Sequence, residues 1–147
     1  MLLIATLLVL GQDSDKPLLR IPREYVPETV HSLGSHPNSF NFGEEPLACT
    51  ARKGDKVYLF WADQQSPGFD VIQFPCASHD GKRVAYVAIT KDMVRREVVW
   101  TLMINQETVQ TGKSIAILGF SPDDRVLAYT LWEGEKTRLC CGSQKSE

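Results

Sequence analysis

The sequence contains no hydrophobic run long enough to cross a bilayer as a helix. Its longest run, MLLIATLLVL at residues 1–10, falls well short of the ~20 residues that a membrane-spanning helix requires. No stretch combines a helical hydrophobic period with capping residues. The segment PLLRIPREYVPETV has a proline every five residues, at Pro17, Pro22 and Pro27, which forbids a long helix. We therefore predict no transmembrane span and an extended, proline-containing lead-in over residues 12–38.

The sequence also lacks clustered charge of one sign. Its 16 basic and 18 acidic residues give a net charge of −2. The densest basic segment is VRREV at residues 94–98, which we interpret as a solvated hairpin tip. Because phosphate binding requires clustered Lys and Arg side chains, we predict that the chain does not bind nucleic acid.

Motifs of catalysis, metal binding and phosphate binding are missing as well. No G-x-S-x-G nucleophile motif occurs, and TGKS at residues 111–114 lacks the upstream glycine of a phosphate-binding loop. His31 and His36 are five residues apart, without the spacing of a helical metal pair. His79 falls within a predicted turn, where a polar side chain needs no further role. We therefore predict a chain that is not an enzyme and that binds no metal or cofactor.

Cysteines are few, and none has C-x-x-C spacing. The four cysteines are Cys49, Cys76, Cys140 and Cys141. An even number permits disulfides in three pairings, and the sequence leaves their redox state open. We favour small apolar strand residues, because free cysteine is often buried.

The short apolar start of the chain is typical of the central region of a secretory signal. Residues 1–11 would be the signal peptide, with the mature chain starting near Gln12, although no Lys or Arg precedes the apolar run. Export would make the protein periplasmic or secreted, and otherwise it would be cytoplasmic. The alternatives are a buried strand, or a start codon placed inside a longer reading frame.

One eleven-residue pattern is present twice. ASHDGKRVAYV at residues 77–87 and FSPDDRVLAYT at residues 120–130 share a polar turn followed by an apolar run. A type I turn favours Ser at its first position, Pro at its second and Gly at its fourth. The predicted turn residues are Ser78, Asp80, Gly81, Ser121, Pro122 and Asp123. Asp124 replaces glycine in the second copy, because Asp tolerates the left-handed region.

Strand-like segments flank both turns, and a fainter copy lies at residues 40–51. The alanines that follow the three turns, Ala48, Ala85 and Ala128, are 37 and 43 residues apart. Periods of roughly 40–45 residues are typical of four-stranded propeller blades. Gly54 and Gly134 each mark a hairpin after the alanine-centred strand.

The fold prediction is accordingly all-β: antiparallel, four-stranded, blade-like sheets within one domain of residues 39–147, as an incomplete or open propeller. The expected blades cover about 39–75, 76–118 and 119–147.

The two copies resemble the F-S-P-D-G-K-x-[IL]-A-[YF] repeat of TolB-like and Trp-Asp-like bacterial β-propellers, over roughly residues 40–142. The resemblance implies turn-shaping roles for the six turn residues, and no catalytic residue of the family maps onto the chain. Propellers close with about four to eight blades, whereas about two and a half repeats are present here. We expect a fragment or an open stack of sheets, and several copies closing a ring remain a third alternative. Open sheet edges would permit self-association.

Two functional hypotheses follow. The first is a non-catalytic module that binds or scaffolds a protein or peptide. The second is a truncated propeller domain that accompanies a peptidase-like hydrolase. We expect Trp61, Trp100 and Trp132 to pack between sheets, with loops of one face left for recognition.

Overall fold

The computed structural model describes residues 6–7, 20–32, 47–61, 64–142 and 144–145, and within them every regular element is a β-strand. No helix able to cross a membrane occurs in this part of the chain. A two-stranded antiparallel sheet consists of β1 (Thr6–Leu7) and β2 (Arg20–Ile21). Thr6 and Leu7 lie within the predicted signal segment, and the remainder of residues 1–11 lies outside the described residues. Removal of this segment stays a prediction.

Three four-stranded antiparallel sheets follow, each with its strands in chain order. The first sheet contains β3 (Val26–Ser32), β4 (Leu47–Lys53), β5 (Lys56–Trp61) and β6 (Gln64–Gln65). The second contains β7 (Val71–Ala77), β8 (Val84–Asp92), β9 (Glu97–Ile104) and β10 (Glu107–Gly112). The third contains β11 (Ser114–Phe120), β12 (Leu127–Glu133), β13 (Lys136–Cys141) and β14 (Gln144–Lys145). The predicted all-β, antiparallel architecture is confirmed, and the sheets form an open stack that does not close.

The sheet boundaries differ from the sequence units in a systematic way. The predicted second and third blades begin at residues 76 and 119, whereas the second and third sheets begin at Val71 and Ser114. The repeated turn lies between the first and second strands, so the strand before each turn pairs with the strand after it. Part of the predicted lead-in also joins the first sheet as β3. The third, fainter turn, near residues 40–46, lies outside the described residues, as does His36.

Tight loops connect the second and third strands of the first and third sheets. Lys53 pairs with Lys56 and Glu133 pairs with Lys136, so each hairpin has a two-residue loop. The first loop residue is glycine, at φ 64° in Gly54 and φ 67° in Gly134. A glycine at the first position fits a type II′ hairpin, whose twist matches that of the flanking strands.

The stack is held together by apolar side chains on facing sheets. The first and second sheets share a cluster of Ala48, Val57, Leu59, Trp61, Ile72, Ala77, Val84, Tyr86, Ala88 and Met103. The second and third sheets share a cluster of Cys76, Ala85, Val87, Ile89, Leu102, Ile115, Ile117, Phe120, Leu127, Tyr129, Leu131 and Cys140. Since side chains alternate along a strand, β8 contributes its even-numbered residues to one cluster and its odd-numbered residues to the other. The second sheet therefore has both faces buried.

The outer face of the first sheet is covered from the N-terminal side. Ile21 on β2 packs against Cys49, Ala51 and Phe60, with Tyr25 at the border of the cluster. Tyr25 makes edge-to-face contacts with both Tyr58 and Phe60 rings, a favourable aromatic geometry. The equivalent end face of the stack, on the third sheet, has no such cover among the described residues.

All four cysteines are free thiols, as expected for small apolar strand residues. Cys49, Cys76 and Cys140 are buried, and Cys141 is partly exposed. Burial raises the pKa of the Cys76 thiol to about 12. Because the thiolate is the reactive form, this raised pKa keeps Cys76 in its unreactive thiol form near neutral pH.

Candidate binding surface

The turn over residues 78–83 is a compact hydrogen-bonded loop at one end of the stack, which we call the turn end. The Gly81 amide donates to the Ser78 carbonyl at 2.9 Å, and the Ser78 amide donates to the Arg83 carbonyl at 2.8 Å. The Ser78 hydroxyl donates to Asp80 at 2.5 Å and accepts from the Arg83 amide. Asp80 also accepts from the Lys82 amide. Ser78 and Asp80 therefore organise the loop backbone.

The turn over residues 121–126 repeats this arrangement. The Asp124 amide donates to the Ser121 carbonyl at 2.9 Å, and the Ser121 hydroxyl donates to Asp123 at 2.6 Å. Asp123 accepts from the Arg125 amide. Hydrogen bonds from Ser78 and Ser121 hold the pKa values of Asp80 and Asp123 below the usual carboxyl range. Both carboxylates thus stay ionised as backbone acceptors.

The two turns differ at their fourth position, and this difference joins them. Gly81 and Asp124 both have positive φ, at 71° and 58°, but only Asp124 has a side chain. Its Oδ1 accepts from the His79 amide at 2.6 Å and lies 2.8 Å from His79 Nδ1, while Oδ2 accepts from the Asp80 amide at 2.8 Å. A carboxylate of the third sheet therefore caps the turn of the second sheet.

The charge of Asp124 is favoured by these contacts. Partial burial raises the pKa of Asp124, but hydrogen bonds from the His79 amide, the His79 ring and the Asp80 amide outweigh it. The net effect is a pKa below the usual carboxyl value. The sequence predicted a structural role for this turn but did not predict the bridge, which requires two distant turns to be neighbours.

The His79–Asp124 pair has the ring-to-carboxylate geometry that orients histidines in catalytic triads. Here, both carboxylate oxygens of Asp124 also accept hydrogen bonds from backbone amides. These bonds explain the His79–Asp124 pair as a cap that joins two turns. No group of three or more His, Cys, Asp or Glu side chains is arranged to bind a metal within the described ranges. The geometry of the turn end therefore points to a structural role.

Asn105, at the loop between β9 and β10, is a second connection that the sequence did not reveal. It has φ 54°. Its side-chain Oδ1 accepts a hydrogen bond from the Val84 backbone amide, and its own backbone amide donates to the Val84 carbonyl. Its carbonyl accepts from the buried Tyr86 hydroxyl at 2.8 Å. Asn tolerates the left-handed region better than most residues, so it can close this loop and satisfy a buried hydroxyl.

Asp70 joins the first two sheets at the opposite end of the stack, which we call the hairpin end. It accepts from the Lys91 amide at 2.6 Å and from Lys56 Nζ at 2.9 Å. These two hydrogen bonds hold the pKa of Asp70 below its usual value, and the bond to Asp70 raises the pKa of Lys56. Asp70 therefore acts as a structural tie beside the hairpin loops.

The β8–β9 hairpin projects from the hairpin end. β8 has nine residues whereas β4 and β12 each have seven, and two additional residues extend a strand by about 7 Å. Its tip, residues 93–96, exposes Met93 by 84% and Val94 by 94%. Val98 and Val99 are also exposed beside the tip.

Two hydrogen bonds hold the backbone of the tip in spite of its exposure. The Asp92 carboxylate accepts from the amides of Val94 and Arg95, both at 3.0 Å. Arg96 has φ 56°, a conformation that costs roughly 1–2 kcal/mol for residues other than glycine. Arg96 thus adopts an unfavourable backbone conformation, and its cationic side chain lies on the same loop as the exposed Met93 and Val94.

The predicted packing role of the tryptophans holds for part of the set. Trp61 is buried, Trp100 is partly buried and packs against the cluster between the second and third sheets, and Trp132 is exposed on the third sheet. The difference follows position in the stack, because no further sheet of the described chain covers Trp132.

Comparisons with family models, with curated proteins and with solved structures gave no match to this chain.

Proposed function

We propose that this chain is a non-catalytic, protein- or peptide-binding module built from propeller-type repeats, and that the β8–β9 hairpin tip is its recognition element. The observation that carries the proposal is the exposure of Met93 and Val94 on a projecting loop whose backbone is held by the Asp92 carboxylate. Isolated exposed apolar residues are ordinary, but adjacent ones at a projecting tip form a surface suited to a partner's pocket.

The chemistry of the tip defines the kind of partner. Arg95 and Arg96 directly follow the apolar pair on the same four-residue loop. A partner that receives this tip would offer an apolar pocket bordered by carboxylates, since Arg forms strong hydrogen bonds with carboxylates. A preorganised loop also loses little entropy on binding, which favours affinity.

The propeller relationship is part of the proposal. Its support is the repetition of a four-stranded antiparallel sheet three times in succession, together with the matching geometry of the two Ser–Asp turns. In such a stack the turns and packed faces serve stability, and the loops at the ends are left for binding.

Site-specific photocrosslinking in extract of the cells that make the protein tests this function. A photoreactive residue at position 94 should give a discrete adduct with one protein. The same residue at position 109, where Val109 is exposed on the outer strand β10, should not give that adduct. The double change Arg95→Glu and Arg96→Glu should reduce the adduct at least ~10-fold, as expected for residues central to an interface.

Two results would contradict the proposal. One is the absence of any adduct from position 94, and the other is the same set of adducts from positions 94 and 109. Circular dichroism of each variant is the folding control. Its spectrum should not change, because all substituted side chains are exposed.

A further inference from the structure

The edges of the described sheets are poorly suited to pairing with another chain. The first strands β3, β7 and β11 each have a register shift, as does the outer strand β10. The other edge strands, β6 and β14 together with β1 and β2 of the two-stranded sheet, have two residues each. Bulges and very short edge strands are the devices by which proteins prevent edge-to-edge association. Association through strand edges, which the sequence suggested, is therefore disfavoured.

One face of the third sheet is different, because it is largely apolar and its side chains are partly exposed. Its residues on the central strand β12 are Ala128, Thr130 and Trp132, which alternate with the buried Leu127, Tyr129 and Leu131. Across the sheet, Thr130 is opposite Leu139, and Ala128 is opposite Cys141. Trp132 is 48% exposed and Leu139 is 46% exposed. We call these five residues the open face.

The repeat itself indicates what covers such a face. Thr130 and Leu139 occupy the positions of Thr50 and Leu59 in the first sheet, counted from Ala128 and Ala48. In the first sheet, Thr50 is 5% exposed and Leu59 is fully buried, on the face that packs against the second sheet. The same pair of residue types is thus buried by a sheet in one repeat and open in the other. In the repeat, this pair of positions lies on the face that packs against the next sheet.

The side-chain sizes on the open face make it complementary to itself. Ala128 and Cys141 lie at the turn end, whereas Trp132 lies at the hairpin end. If two copies face each other across a two-fold axis perpendicular to the strands, the small residues of one copy oppose the large residue of the other. Thr130 and Leu139, in the middle, lie closest to the axis. An isologous interface requires this kind of self-complementarity.

We propose that the open face of the third sheet binds the open face of a second copy, with the strands antiparallel, to give a two-fold dimer. The surface is separate from the hairpin tip, and the inference does not depend on the proposed function. The dimer continues the stacking that joins the sheets within one chain, and it buries Trp132 and Leu139.

Sedimentation equilibrium over a range of protein concentrations tests the dimer. The unmodified chain should approach twice its mass of 16.5 kDa, and Trp132→Glu should remain at the mass of the monomer. Val109→Glu is the matched control, because Val109 is 46% exposed on β10, outside the open face, and it should not change the association. A monomer at all concentrations would overturn the proposal, as would a dimer that survives Trp132→Glu or is lost with Val109→Glu.

Cysteine crosslinking gives the geometry independently of any loss of folding. In a Cys141→Ser background, Thr130→Cys should form a covalent dimer on mild oxidation with copper phenanthroline, because Thr130 lies next to the proposed axis. Val109→Cys in the same background should not crosslink appreciably. Equal crosslinking at the two positions, or none at position 130, would contradict the two-fold arrangement.

Discussion

The second and third sheets have the same repeat but different surroundings. Val87 opposite Leu102 in the second sheet corresponds to Thr130 opposite Leu139 in the third, and both pairs lie on the face directed away from the first sheet. Leu102 is fully buried by the third sheet, whereas Leu139 is 46% exposed. Equivalent positions in the repeat therefore contribute differently to the free energy of unfolding, depending on whether another sheet packs against them.

The largest expected difference between the two sheets is at these leucines. Leu102→Ala should lower the free energy of unfolding by about 2–5 kcal/mol, because it leaves a cavity in the cluster between sheets. Leu139→Ala should lower it by less than about 1 kcal/mol in dilute solution, since little apolar area is lost. Urea unfolding monitored by tryptophan fluorescence measures both. Equal effects would contradict the assignment of Leu139 to a partly exposed face that no other described sheet covers.

The fourth position of the turns gives the next largest effect. Gly81 has φ 71°, and a Cβ there would meet no atom within 4 Å, so the cost of Gly81→Val is conformational and roughly 1–2 kcal/mol. The control Lys82→Ala should change stability by less than about 0.5 kcal/mol, because it alters an exposed side chain. Thermal unfolding of both variants checks this. A neutral Gly81→Val variant would contradict the positive φ.

The equivalent tyrosines of the two sheets should differ by a smaller amount. Tyr86→Phe removes the hydrogen bond to the Asn105 carbonyl and should cost about 1 kcal/mol. Tyr129→Phe should cost less, because the group that raises the pKa of Tyr129 besides burial is the Cys140 thiol, and a thiol hydrogen-bonds only weakly. Chemical denaturation of the two single variants gives the comparison, and a larger loss for Tyr129→Phe would reverse it.

Asp124 provides the smallest and most pH-dependent difference. Its pKa is lowered in the folded state, so its contribution to stability is present above the unfolded value of about 3.9 and is lost as pH falls through the folded pKa. The stability difference between the unmodified chain and Asp124→Asn should therefore be largest near neutral pH. It should shrink as pH falls below the unfolded value and through the lowered pKa of the folded state.

Asn is the appropriate substitution at Asp124, because it also tolerates positive φ and so isolates the charge. Asp55→Asn, in the two-residue loop after Gly54, is the control carboxylate outside the bridge. The measurement is the melting temperature of the unmodified chain and of both variants across the pH range. A difference between Asp124→Asn and the unmodified chain that stays constant down to the lowest pH would exclude an ionised bridge.

Local structure was largely predictable from the sequence. Ser78, Ser121 and Gly81 predict turns because turn geometry depends on a few consecutive residues, and the structure has reverse turns at these positions. The hairpins at Gly54 and Gly134 follow from the same short-range chemistry. The all-β architecture follows from apolar runs of Val, Ile and Tyr between these turns.

The connections between sheets could not be predicted in the same way. The contact of Asp124 with His79 joins residues 45 positions apart, and no local pattern distinguishes it from an ordinary turn carboxylate. Asp70 likewise joins the second sheet to Lys56 of the first, and Asn105 bonds to β8, 21 residues earlier, within its own sheet. The sequence predicts a solvated hairpin tip at residues 94–98, but its projection depends on the greater length of β8 and β9 relative to the equivalent strands of the other sheets.

The sequence by itself determined where the chain turns and which segments are extended, because backbone preference and side-chain alternation act over a few residues. Only the tertiary structure decided which faces are buried, which carboxylates join neighbouring turns and which apolar residues are exposed. The physical reason is that burial depends on what lies on the other side of a sheet. Leu59 and Leu139 occupy the same position in the repeat, and only the neighbouring sheet makes one buried and the other exposed.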